Sequence, residues 1–342
     1  MKANFKKSNR IYFLLFTFYF LFSSCGNNPL DVDVSDIKIS AVIIERFDRD
    51  FFSLNADNIS VKLPELQKKY SGFTELFVKN ILCPNGINDS ACIPEITRFV
   101  SDKDMRGAFD ESQTAFSDLN NIEAEITDAF RHHKYYFPQN NLPKVLAMVS
   151  GFNYSIAAAD SIFAIGLDMY LGSKNKFYEM LQIPEYKQKG MSKEHIVPDL
   201  LRAWMTREFP DESINGNLLS EMIYQGKLLY LADAMMPKSN DTLKIGFTKN
   251  QFTWCEEHEK DVWGLIVKNK FLYSTARDVI SKFTGEGPFT AGLVKESPAR
   301  TGVWLGWRIV RKYMESNPKT TLADLMKEAD AQKILSLSKY KP

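Results

Sequence analysis

The segment NLLSEMIYQGKLLYLADAMMP, residues 217–237, sets the strongest constraint on the fold. At helical spacing Leu218, Leu219, Met222, Ile223, Leu229 and Tyr230 share one side, while Leu228 and Leu231 fall on other sides. A helix that is apolar nearly all round has to be covered nearly all round. The chain must therefore build its core around this element. Asp233 points into the apolar face and requires a hydrogen-bonding neighbour there.

The segments around it supply the cover. IVPDLLRAWMTREFP carries Pro198 in a first helical turn, where a missing N–H costs little, and stops before Pro210. Val197, Leu200, Leu201, Trp204 and Glu208 share its face. ARTGVWLGWRIVRKYM aligns Val303, Trp307, Val310 and Met314, and places Gly302 and Gly306 one turn apart. Such a pair lets another backbone approach closely. Earlier, residues 62–82 and 93–137 have helical patterns, with Leu119, Ile122, Ile126, Phe130, His133 and Phe137 on one stripe. A single histidine on such a stripe is expected as a satisfied core residue. IKISAVIIERF alternates as a first strand, and KVLAMVSG and SIFAIGLDMYLG are short apolar runs bounded by turn residues, expected as buried strands. From Lys174 onward the chain is mostly helical. The expected class is α+β, mainly helical with a small sheet, and 25 phenylalanines can fill a substantial core.

The first ten residues hold Lys2, Lys6, Lys7 and Arg10 and no acid. Ile11 to Phe22 is almost purely apolar, and Ser23, Ser24 and Cys25 follow. This is the pattern of a secretory signal. The apolar run is shorter than the about 20 residues that span a bilayer, which argues against the alternative of one anchoring helix. FSSCG resembles a bacterial lipobox, with Phe22 where leucine is usual, and implies lipidation at Cys25. The expected organisation is a signal peptide over 1–24, a polar lipid-anchored tether over 25–36, and one domain over 37–342. The full chain carries a net charge of +1, and removal of the basic head leaves it slightly acidic, so it has no electrostatic footprint for nucleic acid. An exported chain meets an oxidising compartment. CPNGINDSAC puts Cys83 and Cys92 at the ends of a turn-rich loop, where either a disulfide or two buried thiols would fit. Cys255 has no evident partner.

Candidate chemistry is sparse. His132 and His133 are adjacent and point apart on a helix. His195 stands four residues before Asp199, but Pro198 shows the helix only starting there. CEEHE places Cys255 and His258 three apart without a second pair of ligands, short of the three or four a zinc site takes. There is no G-x-S-x-G elbow, no phosphate-binding P-loop and no G-x-G-x-x-G, so no catalytic residue, metal or cofactor is implied.

HIVPDLLRAWMTREFP, EMIYQGKLLYLADAMMP, FTKNQFTWCEEHEKDVW and ESPARTGVWLGWRIVRKYM, taken in order with the DVDVSDIKI and IERFDRDFF opening and the lipobox, resemble the gliding-motility lipoprotein family GldB of Bacteroidota. The resemblance implies a cell-envelope protein needed for gliding and linked to the type IX secretion machinery, with membrane contact through Cys25 and other envelope proteins as partners. More distantly, the second half resembles a group of predicted zinc proteases with His-Glu-x-x-His on one helix and Glu-Gly on the next. Here the first helix has no histidine, and Gln225-Gly226 stands where Glu-Gly is expected. That likeness implies a degenerate zincin-like scaffold whose former cleft would hold Trp204, Tyr224, Gln225 and Gly226. A non-catalytic envelope component is the expected role. A peptide- or glycan-binding lipoprotein, or a hydrolase using that cleft, is the alternative.

Overall fold

A computed structural model describes residues 28–211 and 216–342. The N-terminal half is a run of short helices: α1 (Phe47–Phe52), α2 (Ile59–Lys69), α3 (Phe73–Ile81), α4 (Cys92–Ser101), α5 (Lys103–Ala115) and α6 (Asn120–Tyr136). Three strands follow, β1 (Lys144–Met148), β2 (Ile156–Ala159) and β3 (Ile162–Gly166). After the short α7 (Lys176–Met180) and α8 (Glu185–Gln188), the C-terminal half holds α9 (Ile196–Glu208), α10 (Leu218–Met235), α11 (Asp241–Ile245) and α12 (Lys249–Lys268). It closes with α13 (Arg277–Thr284), α14 (Thr301–Ser316), α15 (Leu322–Lys327) and α16 (Ala331–Ser338). The class is α+β, mainly helical with one small sheet.

The sheet has the order β1-β3-β2, with β1 parallel and β2 antiparallel to β3. Side chains alternate across it. Leu146, Met148, Ile162 and Ala164 face a core formed by α1–α4, whereas Val145, Ala147, Phe163 and Ile165 face a second core formed by α6, α9, α10 and the helices beyond. The sheet is thus the shared wall of two helical layers, which is why β1 and β3 are apolar on both faces. The first core is dense in aromatic rings: Phe47 meets Phe73 and Phe77 edge-on at 5.0 and 5.1 Å between centroids.

Several expected elements differ in detail. Residues 37–46 are outside helices and strands, and only Glu45 bridges to β1, before α1 begins at Phe47. The amides of Val42 and Ile44 donate instead to Thr127 Oγ1 and Glu123 Oε1 of α6, so helix side chains take the donors a strand ladder would use. The helix expected over 62–82 breaks into α2 and α3 at Ser71 and Gly72, whose backbones are left-handed. The one expected over 93–137 breaks into α4, α5 and α6. Asp102 leaves the helical conformation there, and its carboxylate caps α5 through the amides of Asp104 and Met105. β2 was not expected, because after Ile156 its IAAA sequence is all alanine, with neither alternation nor further branched side chains. Residues 28–36 lie against the domain, with Val34 buried and Asn28 donating to the carbonyl of Pro237.

The apolar helix α10 sits at the centre. It meets α14 at a crossing where Gly226 faces Gly306: a methyl group on Gly306 would lie 1.8 Å from the carbonyl oxygen of Met222. Gly302, one turn earlier, serves a different neighbour, the backbone of Phe283 in α13. Asp233 has the partners its position demands. Arg311 grips it through Nε and Nη2, each at 2.7 Å, and Trp307 Nε1 and Lys244 Nζ donate at 2.9 and 3.0 Å. Asp241 joins by accepting from Arg311 and Lys244. Two carboxylates and two cations balance, and the Arg311 guanidinium lies 3.7 Å over the Trp307 ring. Burial would lower Arg311, but its hydrogen bonds to Asp233 and Asp241 outweigh that and raise it above the ordinary arginine value.

A second buried carboxylate, Asp168, joins the ends of the two parallel strands. It accepts from the amides of Ser150 (3.1 Å) and Phe152 (2.6 Å), tying the loop after β1 to the turn after β3. Full burial pushes its carboxyl up to about 6, against the pull of those N–H groups.

Two predictions follow from packing and titration. Gly306→Ala is expected to lower stability by about 1–3 kcal/mol or more, since backbone must move. Gly264→Ala, in α12 with nothing near its position, is expected to raise it by about 0.5–1 kcal/mol. Denaturant melts of the two variants decide; equal effects would contradict the crossing. For Asp168, the folded state binds a proton that the unfolded state, with its carboxyl near 3.8, has released. Its contribution is present below pH 4 and lost as pH rises through 6. The stability advantage of wild type over Asp168→Asn should therefore shrink across that window, by at most about 1.4 kcal/mol per pH unit. A pH-independent difference in melts would contradict the assignment.

Candidate functional site

A groove of about 680 Å³ lies between the C-terminal end of α9, one face of α10, and the segment from α15 to α16. Its α10 face is built from Ser220, Ile223, Tyr224 and Lys227, which recur at one helical stripe. Phe137, Phe209 and Tyr224 give it aromatic walls, and Met326 to Ala331 close the far side. Tyr224 Oη donates to the carbonyl of Phe209 at 3.0 Å and pins the end of α9 to α10.

Five charged residues line this groove, Glu208, Asp211, Lys227, Lys327 and Glu328, and two of them are held by hydrogen bonds deep in the fold. Glu208, the last residue of α9, accepts on Oε1 from His133 Nε2 at 2.8 Å and from the Asn140 amide. His133 is fully buried and packs on Trp204 at 4.3 Å between ring centroids. A proton on its Nδ1 would be a buried donor without an acceptor, so the ring carries it on Nε2. The second is Lys227, only 7% exposed, whose ammonium donates to the backbone carbonyl of Glu328. Burial pushes it below the ordinary lysine value, with the Glu328 and Asp211 carboxylates acting the other way.

Of the four residues expected in a former cleft, Tyr224 alone lines the groove. Trp204 lies beneath it, held between Phe130 and His133 in the core. Gln225 turns to another side of α10 and donates to Glu221 at 2.9 Å. Gly226 is in the α10–α14 crossing, where its missing side chain admits the Gly306 backbone. Lys227, Phe209 and Asn140 were not singled out from sequence, and Glu208 and Phe137 were read only as members of helical faces. A lysine inside an otherwise apolar helix was the available signal.

The remaining histidines are dispersed. His132 bonds the carbonyl of Asp128, His195 meets Ser192 Oγ at 3.1 Å, and His258 stacks on Trp254 at 4.3 Å. Among the described residues no three His, Cys, Asp or Glu side chains are placed to share a metal ion. On α9, Asp199 accepts from Tyr170 Oη and Arg202, and Thr206 donates to the Arg202 carbonyl, so its polar groups serve local bonds.

Cys83 and Cys92 are both buried, as unlinked thiols close enough for one to hydrogen-bond the other. Burial, then the bond to Cys83, pushes the Cys92 thiol up to about 12. Cys255 is buried elsewhere and also raised by burial. Cys25 lies outside the described residues, and no helix among those described is long and apolar enough to cross a membrane.

These features define a helical α+β domain whose polar groups are mostly committed to structure, with one groove left over. The family model described as gliding motility protein GldB matches residues 27–342, and the chain belongs to that family of gliding-motility lipoproteins. No curated protein and no solved structure gives a match.

The cysteine pair yields a direct measurement. The structure holds the two thiols side by side and unlinked, and oxidation in the compartment an exported chain meets is expected to join them, so that protein isolated from its own envelope and alkylated in denaturant without reductant labels Cys255 but neither Cys83 nor Cys92. The link would close a short loop and stabilise the fold by about 2–4 kcal/mol. Labelling of all three would show that the pair persists as thiols.

Proposed function

We propose that this protein is a lipid-anchored, non-catalytic component or assembly factor of the gliding apparatus and of the type IX secretion machinery to which gliding is linked. Its domain would stand in the periplasm, held to a membrane by acyl chains on Cys25, and act by contact with other envelope proteins. The observation that carries the reading is the family match over nearly the whole chain, beginning two residues after the lipobox cysteine. Each buried methylene of an acyl chain contributes about 0.8 kcal/mol, so two or three chains suffice for durable anchoring.

The commitments of the polar side chains support a role through surfaces. The helix that brings Asp199, Arg202, Thr206 and Glu208 uses each of them in a bond to its own fold. The other helix of the supposed protease pair offers Gln225, a neutral side chain already bonded to Glu221. A zincin ancestry would account for the two-helix arrangement, and the ligands it would require are replaced.

Expression of Cys25→Ala in the native host tests the anchor and the role together. The variant should leave the detergent phase, accumulate as unprocessed precursor, and fail to restore gliding to a strain lacking the wild-type protein. Intact mass showing an unmodified Cys25 in mature protein would refute lipidation. Crosslinking and pull-down of tagged wild type should recover gliding or secretion proteins. Full gliding in a strain lacking the protein altogether would refute the assigned role.

A further inference from the structure

Of the five charged residues that line the groove, Glu208 and Lys227 are the two most deeply set, and each has unused hydrogen-bonding capacity. Glu208 receives both of its donors, His133 and Asn140, on Oε1; among the described residues no protein donor reaches Oε2. The carboxylate is therefore fixed in orientation with one oxygen unassigned. Lys227 has three N–H donors, of which one meets the Glu328 carbonyl; the other two meet no protein acceptor among the described residues. The Glu328 and Asp211 carboxylates already act on this ammonium, and its two remaining N–H groups still gain from an acceptor that enters, most from a charged one. The Phe137, Phe209 and Tyr224 rings line the same groove, and the volume of about 680 Å³ is within the range of small-ligand sites.

We propose that this groove binds the carboxyl-terminal end of a short peptide, its carboxylate on Lys227 and a backbone N–H on Glu208 Oε2. Three ligand chemistries can be compared against the same groups. A fatty acid would satisfy Lys227 but leave Glu208 Oε2 desolvated without a donor. A neutral sugar would offer hydroxyls to both but no charge to the ammonium. A peptide end supplies an anion, N–H donors and side chains for the aromatic walls together. The inference concerns ligand chemistry alone and does not depend on the anchoring or motility role.

The test uses the full-length protein in detergent, equilibrated with a random tripeptide library, washed by ultrafiltration, and read by mass spectrometry of retained peptides. Wild type is expected to enrich a subset at least tenfold over the input. The same library with amidated C-termini should lose that enrichment at least tenfold, and Lys227→Met and Glu208→Gln should each lose it against the free-acid library. Circular dichroism checks that the variants are folded; if either is not, the amidation comparison in wild type decides. No enrichment, enrichment indifferent to amidation, or full retention by folded Lys227→Met would overturn the proposal. Saturable retention of myristate or maltotriose in place of peptides would overturn it too.

Discussion

The contact between Gly226 and Gly306 is the constraint on which the rest of the C-terminal half depends. Two helices with side chains at this point would stand farther apart; without them the backbones touch. That closeness makes α10 burial possible from the α14 side, and it brings Trp307, next to Gly306, and Arg311, one turn beyond Trp307, into reach of Asp233, two turns along α10 from Gly226. The ion-paired network then fixes rotation and register, because Asp233 meets Arg311 only in one alignment of the two helices. Removing one member would leave a buried charge without its partner, which is far costlier than the pair is worth. The glycines set distance and the charges set register, and neither does the other's work.

From that centre the layers follow in order. α10 packs on α9 and α6, and those helices cover one face of the sheet. The other face is covered by the phenylalanine-rich cluster of α1–α4. A three-stranded sheet is too small to hold two layers by itself, and Asp168 reinforces it at the ends of the parallel pair by binding the loop that leaves β1. The raised carboxyl of Asp168 is the consequence of using a buried acid where a loop offers converging N–H groups.

The parts of this fold that sequence made legible are those with long, strongly periodic patterns. α9, α10 and α14 appear where their apolar spacing, Pro198 and the glycine pair put them, and Asp233 has the partners its burial demanded. The parts that were not legible are decided by contacts distant in sequence. Residues 37–47 have the alternation of a strand, yet Thr127 and Glu123, some 80 positions on, capture their amides. β2 exists because β3 offers an edge, and three alanines carry no signal of that. Of the residues expected in a former cleft, Tyr224 faces the groove and Trp204, Gln225 and Gly226 face elsewhere. A motif comparison between adjacent residues Tyr224, Gln225 and Gly226 ignores that each step around a helix turns about 100°.

That rotation explains how one helix can be both core and wall. Met222, Gly226 and Asp233 look toward α14; Ser220, Ile223, Tyr224 and Lys227 look toward the groove. Gly226 and Lys227 are neighbours in sequence with unrelated surroundings. Because the α14 crossing fixes the rotation of α10, it also fixes where the Lys227 ammonium arrives, beside the backbone of Glu328. On the opposite wall, Glu208 is held by His133, which is packed on Trp204 and so belongs to the α6–α9 layer. Glu208 and Lys227 are thus carried by two different packing layers, and loop groups, the Asn140 amide and the Glu328 carbonyl, help to hold each in place. A site built this way is rigid on both sides, which favours a ligand of defined length over a variable one.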